Sequence, residues 1–223
     1  MNLYSRDEVL QLAERTYRSG QAGFELALSR TALLVIDMQA EFVEPGWTPF
    51  WVPAATDMLP KLAGVLAAAR QVGMPVIHTA FAATHQFLDR PASGNFMPNR
   101  YPDLPANPAY FREAVFAAEL APLPGEVVIY KPSYGAFYDT PLDTILRNLN
   151  CHSVIITGTL TNLCCGMTAR QAYERGYRVV FGADLTATHS PAAQDAELAT
   201  QRYGFSRVMH AAEILDWFNS EKR

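Results

Sequence analysis

The chain has 223 residues, enough for one α/β domain with a complete core, and 49% of them are hydrophobic, as in ordinary globular packing. A formal charge of −4, with Lys and Arg scattered singly, offers little to phosphate backbones or anionic lipid, so neither nucleic acid nor a membrane is an expected partner. The three cysteines, Cys151, Cys164 and Cys165, fit neither a disulfide framework nor a metal pattern. No leader-like N-terminus or long apolar run is present, so the expected location is the cytoplasm.

In chain order, an amphipathic helix is expected over about 6–18, with Val9, Leu10, Leu12 and Ala13 on its apolar side. Short apolar runs follow at 32–36, 75–78, 126–130, 153–156 and 177–181, with a weaker one at 207–209. Each reads as a buried parallel strand. Helical periodicity occupies 58–72, 139–148, 164–175, 191–203 and 211–218. This alternation predicts an α/β fold: a three-layer αβα sandwich, Rossmann-like, with a central, mostly parallel sheet of about six strands in a single domain spanning 1–223. Asp139-Thr140-Pro141 reads as a helix cap followed by a first-turn proline, and Gly176 as a helix stop. Residues 80–110 interrupt the pattern with Pro91, Pro98, Pro102, Pro105 and Pro108, which marks a lid or interface loop.

Open parallel sheets bind ligands beyond the carboxyl ends of their strands, so the polar residue that ends each apolar run is a candidate. Asp37 directly follows Leu-Leu-Val-Ile, and Lys131 directly follows Val-Val-Ile-Tyr. The fourth run leads through Thr157-Gly158-Thr159-Leu160-Thr161-Asn162-Leu163 to Cys164 at the expected start of a helix. Free N–H groups and the helix dipole at that position would lower a thiol pKa. A carboxylate to take the proton and an ammonium to balance the charge would complete a nucleophilic site, with loop N–H groups receiving an oxyanion. Taken singly, each residue has a plain structural reading, as a cap, a solvated lysine or a small core cysteine. Their common position at one edge of the sheet favours chemistry. Cys151 and Cys165 are read as packing residues.

Three segments, LLVIDMQAEF at 33–42, KPSYGAF at 131–137 and GTLTNLC at 158–164 with TARQA at 168–172 behind it, resemble in order and spacing the isochorismatase-like cysteine hydrolases. That family includes nicotinamidases, N-carbamoylsarcosine and ureidoacrylate amidohydrolases, and isochorismatases. The resemblance implies an isochorismatase-type αβα fold and a catalytic triad of Asp37, Lys131 and Cys164. It also implies a cis peptide between Thr159 and Leu160 that presents the N–H groups of Leu160 and Cys164 to an oxyanion, and a homodimer or homotetramer.

Nicotinamidase-like members carry an Asp-x-His metal site after the second strand. Here that segment reads HTAFAATH at 78–85, without the acid, so no metal and no organic cofactor is expected. Isochorismatases proper cleave a vinyl ether without a cysteine nucleophile. Cys164 therefore points to the covalent branch: hydrolysis of a carboxamide, ureido or carbamoyl C–N bond in a small molecule. The alternatives are vinyl ether hydrolysis driven by Asp37, or a non-catalytic binding protein on the same fold. For the substrate pocket, Phe42, Trp47, Tyr134 and Phe137 are the candidate aromatic walls, with Phe50 and Trp51 beside them. Arg90, Arg100 or His85 are candidates for recognising a carboxylate.

Overall fold

The first apolar run is buried along its whole length because its side chains alternate between two cores. Leu33 and Val35 enter one cluster, and Ala32, Leu34 and Ile36 enter the other. The structure, a computed structural model, describes residues 3–82, 84–92 and 109–221. Its strands are β1 (Thr31–Ile36), β2 (Val76–Phe81), β3 (Val127–Lys131), β4 (Ser153–Thr159), β5 (Arg178–Ala187) and β6 (Arg207–Met209). They form one sheet in the order β3-β2-β1-β4-β5-β6, every neighbouring pair parallel.

The described helices are α1 (Arg6–Ser19), α2 (Ala40–Val43), α3 (Pro53–Gln71), α4 (Leu142–Asn148), α5 (Gly166–Glu174), α6 (Pro191–Gly204) and α7 (Ala211–Ser220). Leu62 and Leu66 of α3 and Ile214 and Phe218 of α7 cover one face of the sheet. Leu142 and Leu146 of α4, Ala169 and Ala172 of α5, and Leu198 of α6 cover the other. This is the expected three-layer αβα sandwich. The chain leaves β1 in one direction across the sheet and β4 in the other, so a crevice opens between their carboxyl ends. Gly158 allows those two strands to approach closely. Its φ is +111°, and a Cβ there would lie 2.0 Å from the Ile36 carbonyl oxygen.

Several boundaries differ from the sequence reading. The third helix begins at Pro53, five residues before the periodicity becomes visible, because proline at the first helical position starts the turn without an apolar signal. β5 runs on to Ala187 although Gly182 and Asp184 break its apolar pattern; Asp184 accepts from the Ala211 N–H at 2.8 Å and pairs with Lys61 at 2.7 Å. The cap expected at Asp139 lies further on. Asp139 is left-handed (φ 47°), and Thr140 Oγ1 accepts from the Leu142 N–H at 3.3 Å as α4 begins. The amphipathic N-terminal helix is present as α1, closed by a capping box between Ser5 and Glu8. It packs on α6 through Tyr17 stacked on Tyr203, with Val9, Leu10 and Leu12 exposed. Most of the proline-rich segment, residues 93–108 with Pro98, Arg100, Pro102, Pro105 and Pro108, lies outside the described residues.

One buried polar cluster ties β2 to α3 and to the turn before β3. Glu126 receives two bonds from Arg70 (2.7 and 2.8 Å) and one from the Leu123 N–H (2.9 Å), and His78 Nε2 lies 3.0 Å away. A carboxylate can only accept, so His78 carries its proton on Nε2, and the buried Nδ1 has no partner among the described residues. Burial lowers the His78 pKa, outweighing the pull of Glu126, and keeps the ring neutral. For Glu126, burial acts to raise the pKa, but the bonds from Arg70 and Leu123 prevail and bring it down to about 2.

Both shifts have the same sign for stability. The Glu126 contribution is complete above its ordinary value of 4.5 and is lost as pH falls from there to about 2. The lowered His78 value removes further stability as the unfolded imidazole protonates below about 6.5. Urea unfolding is therefore expected to show a stability that declines between pH 7 and pH 3, with Glu126→Gln roughly 2–3 kcal/mol less stable at pH 7 and flatter below pH 4.5. Equal acid slopes for the two proteins would refute this role for Glu126.

Candidate active site

The carboxyl end of β1 terminates abruptly at Asp37, whose left-handed backbone (φ 51°) turns the chain away from the sheet. Such a conformation in a residue other than glycine is uncommon and marks sites under functional constraint. The turn leaves the Asp37 carboxylate fully buried. Oδ1 accepts from the Thr79 hydroxyl of β2 at 2.7 Å, and Oδ2 lies 2.7 Å from Lys131 Nζ. Lys131 ends β3 and is itself fully buried. Its ammonium reaches three groups: Asp37, the Ser133 carbonyl at 2.9 Å, and the Cys164 thiol. The Cys164 thiol contacts both members of the ion pair. Three residues spread over 127 positions of the chain, from Asp37 to Cys164, thus meet at one point beyond the sheet.

Cys164 does not stand at the first residue of an α-helix. It is the fourth residue of a wide π-helical turn, Thr161–Cys165, that follows β4 and runs into α5. The Leu160 carbonyl accepts from the N–H groups of Leu163 (3.1 Å) and Cys165 (3.1 Å), passing over that of Cys164. Among the described residues the Leu160 N–H donates no hydrogen bond. The Thr159–Leu160 peptide is cis, as the resemblance implied.

The protonation state also departs from the reading based on helix position. Burial pushes the Cys164 thiol up to about 12; Lys131 offsets part of the rise and Asp37 adds to it. This direction favours the thiol over the thiolate, because loss of hydration on burial, with Asp37 alongside, outweighs what one ammonium returns. Burial acts to lower the Lys131 pKa, but Asp37 and Cys164 outweigh it and hold the ammonium above the usual lysine value.

The segment behind Cys164 has a structural purpose that its residue types did not reveal. Thr168 donates to the Cys164 carbonyl at 2.6 Å and accepts from the Ala136 N–H at 3.0 Å. Gln171 accepts from the Phe137 N–H at 3.2 Å, and it packs so closely that a Cβ on Gly135 would lie 2.2 Å from its Oε1. Arg170 forms a two-pronged pair with Glu197 of α6 (2.7 and 3.0 Å). Helix α5 therefore clamps the loop after Lys131 onto the loop that carries Cys164. Cys165 is fully buried with its sulfur near the Thr157 carbonyl, and Cys151 is buried beside the Leu149 carbonyl, consistent with packing roles.

The aromatic candidates separate on folding. Tyr134 is half-buried and stacks on Phe81 (6.4 Å, 15°), whose ring centre is 5.3 Å from Lys131 Nζ. Phe81 is a wall of the site that sequence reasoning missed, since the apolar run at 75–78 stops short of it and leaves it in the proline-rich loop, whereas β2 runs on to Phe81. Phe42 is buried against Phe111, which also packs on Phe50 and Phe81. Trp47 is 40% exposed and meets Tyr110 edge-on, and the Trp51 indole donates to Thr56. Phe137 lies in the core against Tyr177, with the Arg175 guanidinium over its ring. Of the carboxylate candidates, Arg90 lies over Phe81 at 4.5 Å and His85 pairs with Asp89 at 3.1 Å, while Arg100 is outside the described residues. The two histidines of the 78–85 segment thus have carboxylate partners from elsewhere, Glu126 for His78 and Asp89 for His85.

The fold has known counterparts. The family model described as the isochorismatase domain matches residues 31–213. The chain belongs to the isochorismatase family. Within it, the chain is similar to ureidoacrylate amidohydrolase RutB of Cronobacter sakazakii (strain ATCC BAA-894), with 31% identity over 216 residues, covering 87% of this chain and 91% of that protein. Among solved structures, a cysteine hydrolase from Pseudomonas syringae pv. phaseolicola 1448A superposes with a TM-score of 0.79 at 28% identity, covering 91% of this chain and 99% of the other. N-carbamoylsarcosine amidase from Thermoplasma acidophilum gives 0.65 at 26% identity, covering 82% and 96%. Among the described residues no helix is long and apolar enough to cross a membrane.

Proposed function

We propose that this isochorismatase-family protein hydrolyses a carboxamide, ureido or carbamoyl C–N bond of a small molecule through a covalent intermediate on Cys164. The observation that carries the reading is the contact of the Cys164 thiol with a fully buried Asp37–Lys131 ion pair. Similarity to a ureidoacrylate amidohydrolase and an N-carbamoylsarcosine amidase supports the class of bond.

With burial holding the Cys164 thiol up, proton transfer and attack proceed together. Asp37 takes the Sγ proton as sulfur bonds to the substrate carbonyl carbon. The N–H groups of Leu160 and Cys164 receive the oxyanion. The C–N bond then breaks, and Asp37 gives its proton to the departing nitrogen, which leaves as ammonia or an amine. Water attacks the thioester and Asp37 accepts its proton. When the C–S bond breaks, Asp37 returns that proton to sulfur, and the acid product departs. Lys131 keeps a positive charge beside carboxylate and sulfur throughout. Phe81 and Tyr134 form the apolar wall next to the ammonium.

An ammonia-release assay across simple amides, ureides and carbamoyl amino acids, with intact-mass spectrometry of the quenched enzyme, tests the reading. The expected result is turnover of at least one compound together with a protein adduct of the acyl mass at Cys164. Turnover without any adduct under single-turnover quenching, joined to full activity of Cys164→Ala, would remove the covalent mechanism.

A further inference from the structure

Beside the proposed catalytic group lies a buried carboxylate that the chemistry does not use. Glu41, in the short helix α2 four residues after Asp37, is 1% exposed. Its Oε1 accepts from the Phe111 N–H at 2.9 Å, and its Oε2 accepts from the Gln39 amide at 2.9 Å. The Gln39 amide is fully engaged in turn, since its nitrogen also donates to the Phe81 carbonyl (3.2 Å) and its oxygen accepts from the Phe81 N–H (2.9 Å). A polar group buried this deeply is costly unless hydrogen bonds satisfy it, and both Glu41 oxygens are satisfied here.

What it organises is the returning end of the long segment between β2 and β3. Residues 115–117 lie across the end of β1, with Ala40 N–H bound to the Val115 carbonyl (2.7 Å), Ala117 N–H bound to the Met38 carbonyl (3.0 Å), and Gln39 bridged to Phe116. Phe111 is held with a left-handed backbone (φ 59°), an unfavourable conformation for an aromatic residue that a bond to its N–H can maintain. That conformation sends its ring against Phe42, Phe50 and Phe81. Phe81 in turn faces Lys131.

We infer that Glu41 is a positioning residue for substrate selection: by anchoring Phe111 it holds the Phe81 wall against the Lys131 ammonium and so limits the bulk of the group admitted beside Cys164. The inference rests on the proposed role of Cys164, and two readouts keep the two claims apart. In Glu41→Gln one neutral amide replaces the carboxylate. Its NH2 must oppose either the Phe111 N–H or the Gln39 NH2, so one of the two bonds that fix the anchor is lost while volume is preserved.

The expected kinetic result is that kcat for a minimal amide stays within about twofold, while the KM spread between bulky and minimal amides changes by about tenfold. Independently of turnover, the ratio of Cys164 alkylation rates by an N-aryl iodoacetamide and by iodoacetamide, read by tandem mass spectrometry, is expected to rise about tenfold. Phe111→Ala, which removes the ring and keeps the Glu41 bond to the backbone, is expected to shift both ratios in the same direction. It also covers the case of a Glu41→Gln protein that does not fold. Absence of turnover in the wild-type protein would count against the proposed function alone, since the alkylation ratio still decides the anchor. Unchanged ratios in both variants, or a uniform fall in kcat with KM constant, would overturn it.

Discussion

Cys164→Ala is expected to reduce hydrolysis by about 10⁴-fold or more in kcat, the scale seen when a covalent nucleophile is removed from a preorganised site. Fold stability should change little, because the side chain is small and its loss exposes no unpaired charge: Asp37 and Lys131 still neutralise each other at 2.7 Å. Cys165→Ala is the matched control. Its sulfur lies by the Thr157 carbonyl in the core, so its turnover is expected to remain near that of the unaltered protein. Initial rates of ammonia release, compared at equal thermal midpoints, decide the matter. If Cys164→Ala kept its rate, C–N hydrolysis by water activated at Asp37, without a bond to sulfur, would replace the covalent reading.

Lys131→Met should fail in both activity and stability, for one electrostatic reason. Both members of the Asp37–Lys131 pair are inaccessible to water, so removing the ammonium strands a carboxylate in the interior. Breaking a buried pair in this way costs about 3–5 kcal/mol, whereas replacing both partners by neutral groups costs far less. The double variant Lys131→Met with Asp37→Asn is therefore expected to recover most of the lost stability, while turnover stays down by at least about 10³-fold. Urea denaturation of the two singles and the double gives the coupling directly. Additive losses would show that the pair is not energetically linked and would weaken the part assigned to Lys131.

Much of the site was legible because it depends on local pattern. Asp37 and Lys131 stand directly after apolar runs of four residues, and a parallel strand, whether buried like β1 or partly exposed at the sheet edge like β3, must deliver its last residue to the carboxyl edge of the sheet. The length and spacing of the runs were likewise enough to indicate six strands and the layers on either side. Phe81 and Glu41 were not legible. Phe81 lies past the apolar run at 75–78 and joins the strand only in the fold, and Glu41 resembles a solvated helix acid; only the return of residues 109–117 across β1 turns one into a wall and the other into an anchor. Phe137, adjacent to a functional loop in the chain, goes into the core because the clamp formed by Gln171 and Thr168 orients that loop.

Local sequence therefore settles which residues reach the functional edge, since strand burial and the polar residue that ends it are properties of a few neighbouring positions. Tertiary structure decides what those residues become. The order of the strands brings Asp37, Lys131 and Cys164 together, and complete burial acts on their chemistry: Asp37 and Cys164 hold the Lys131 ammonium above the usual lysine value, and burial raises the neighbouring thiol to about 12, away from the thiolate that a helix start alone suggests. Desolvation and long-range contact have no local signature, so both had to be read from the folded chain.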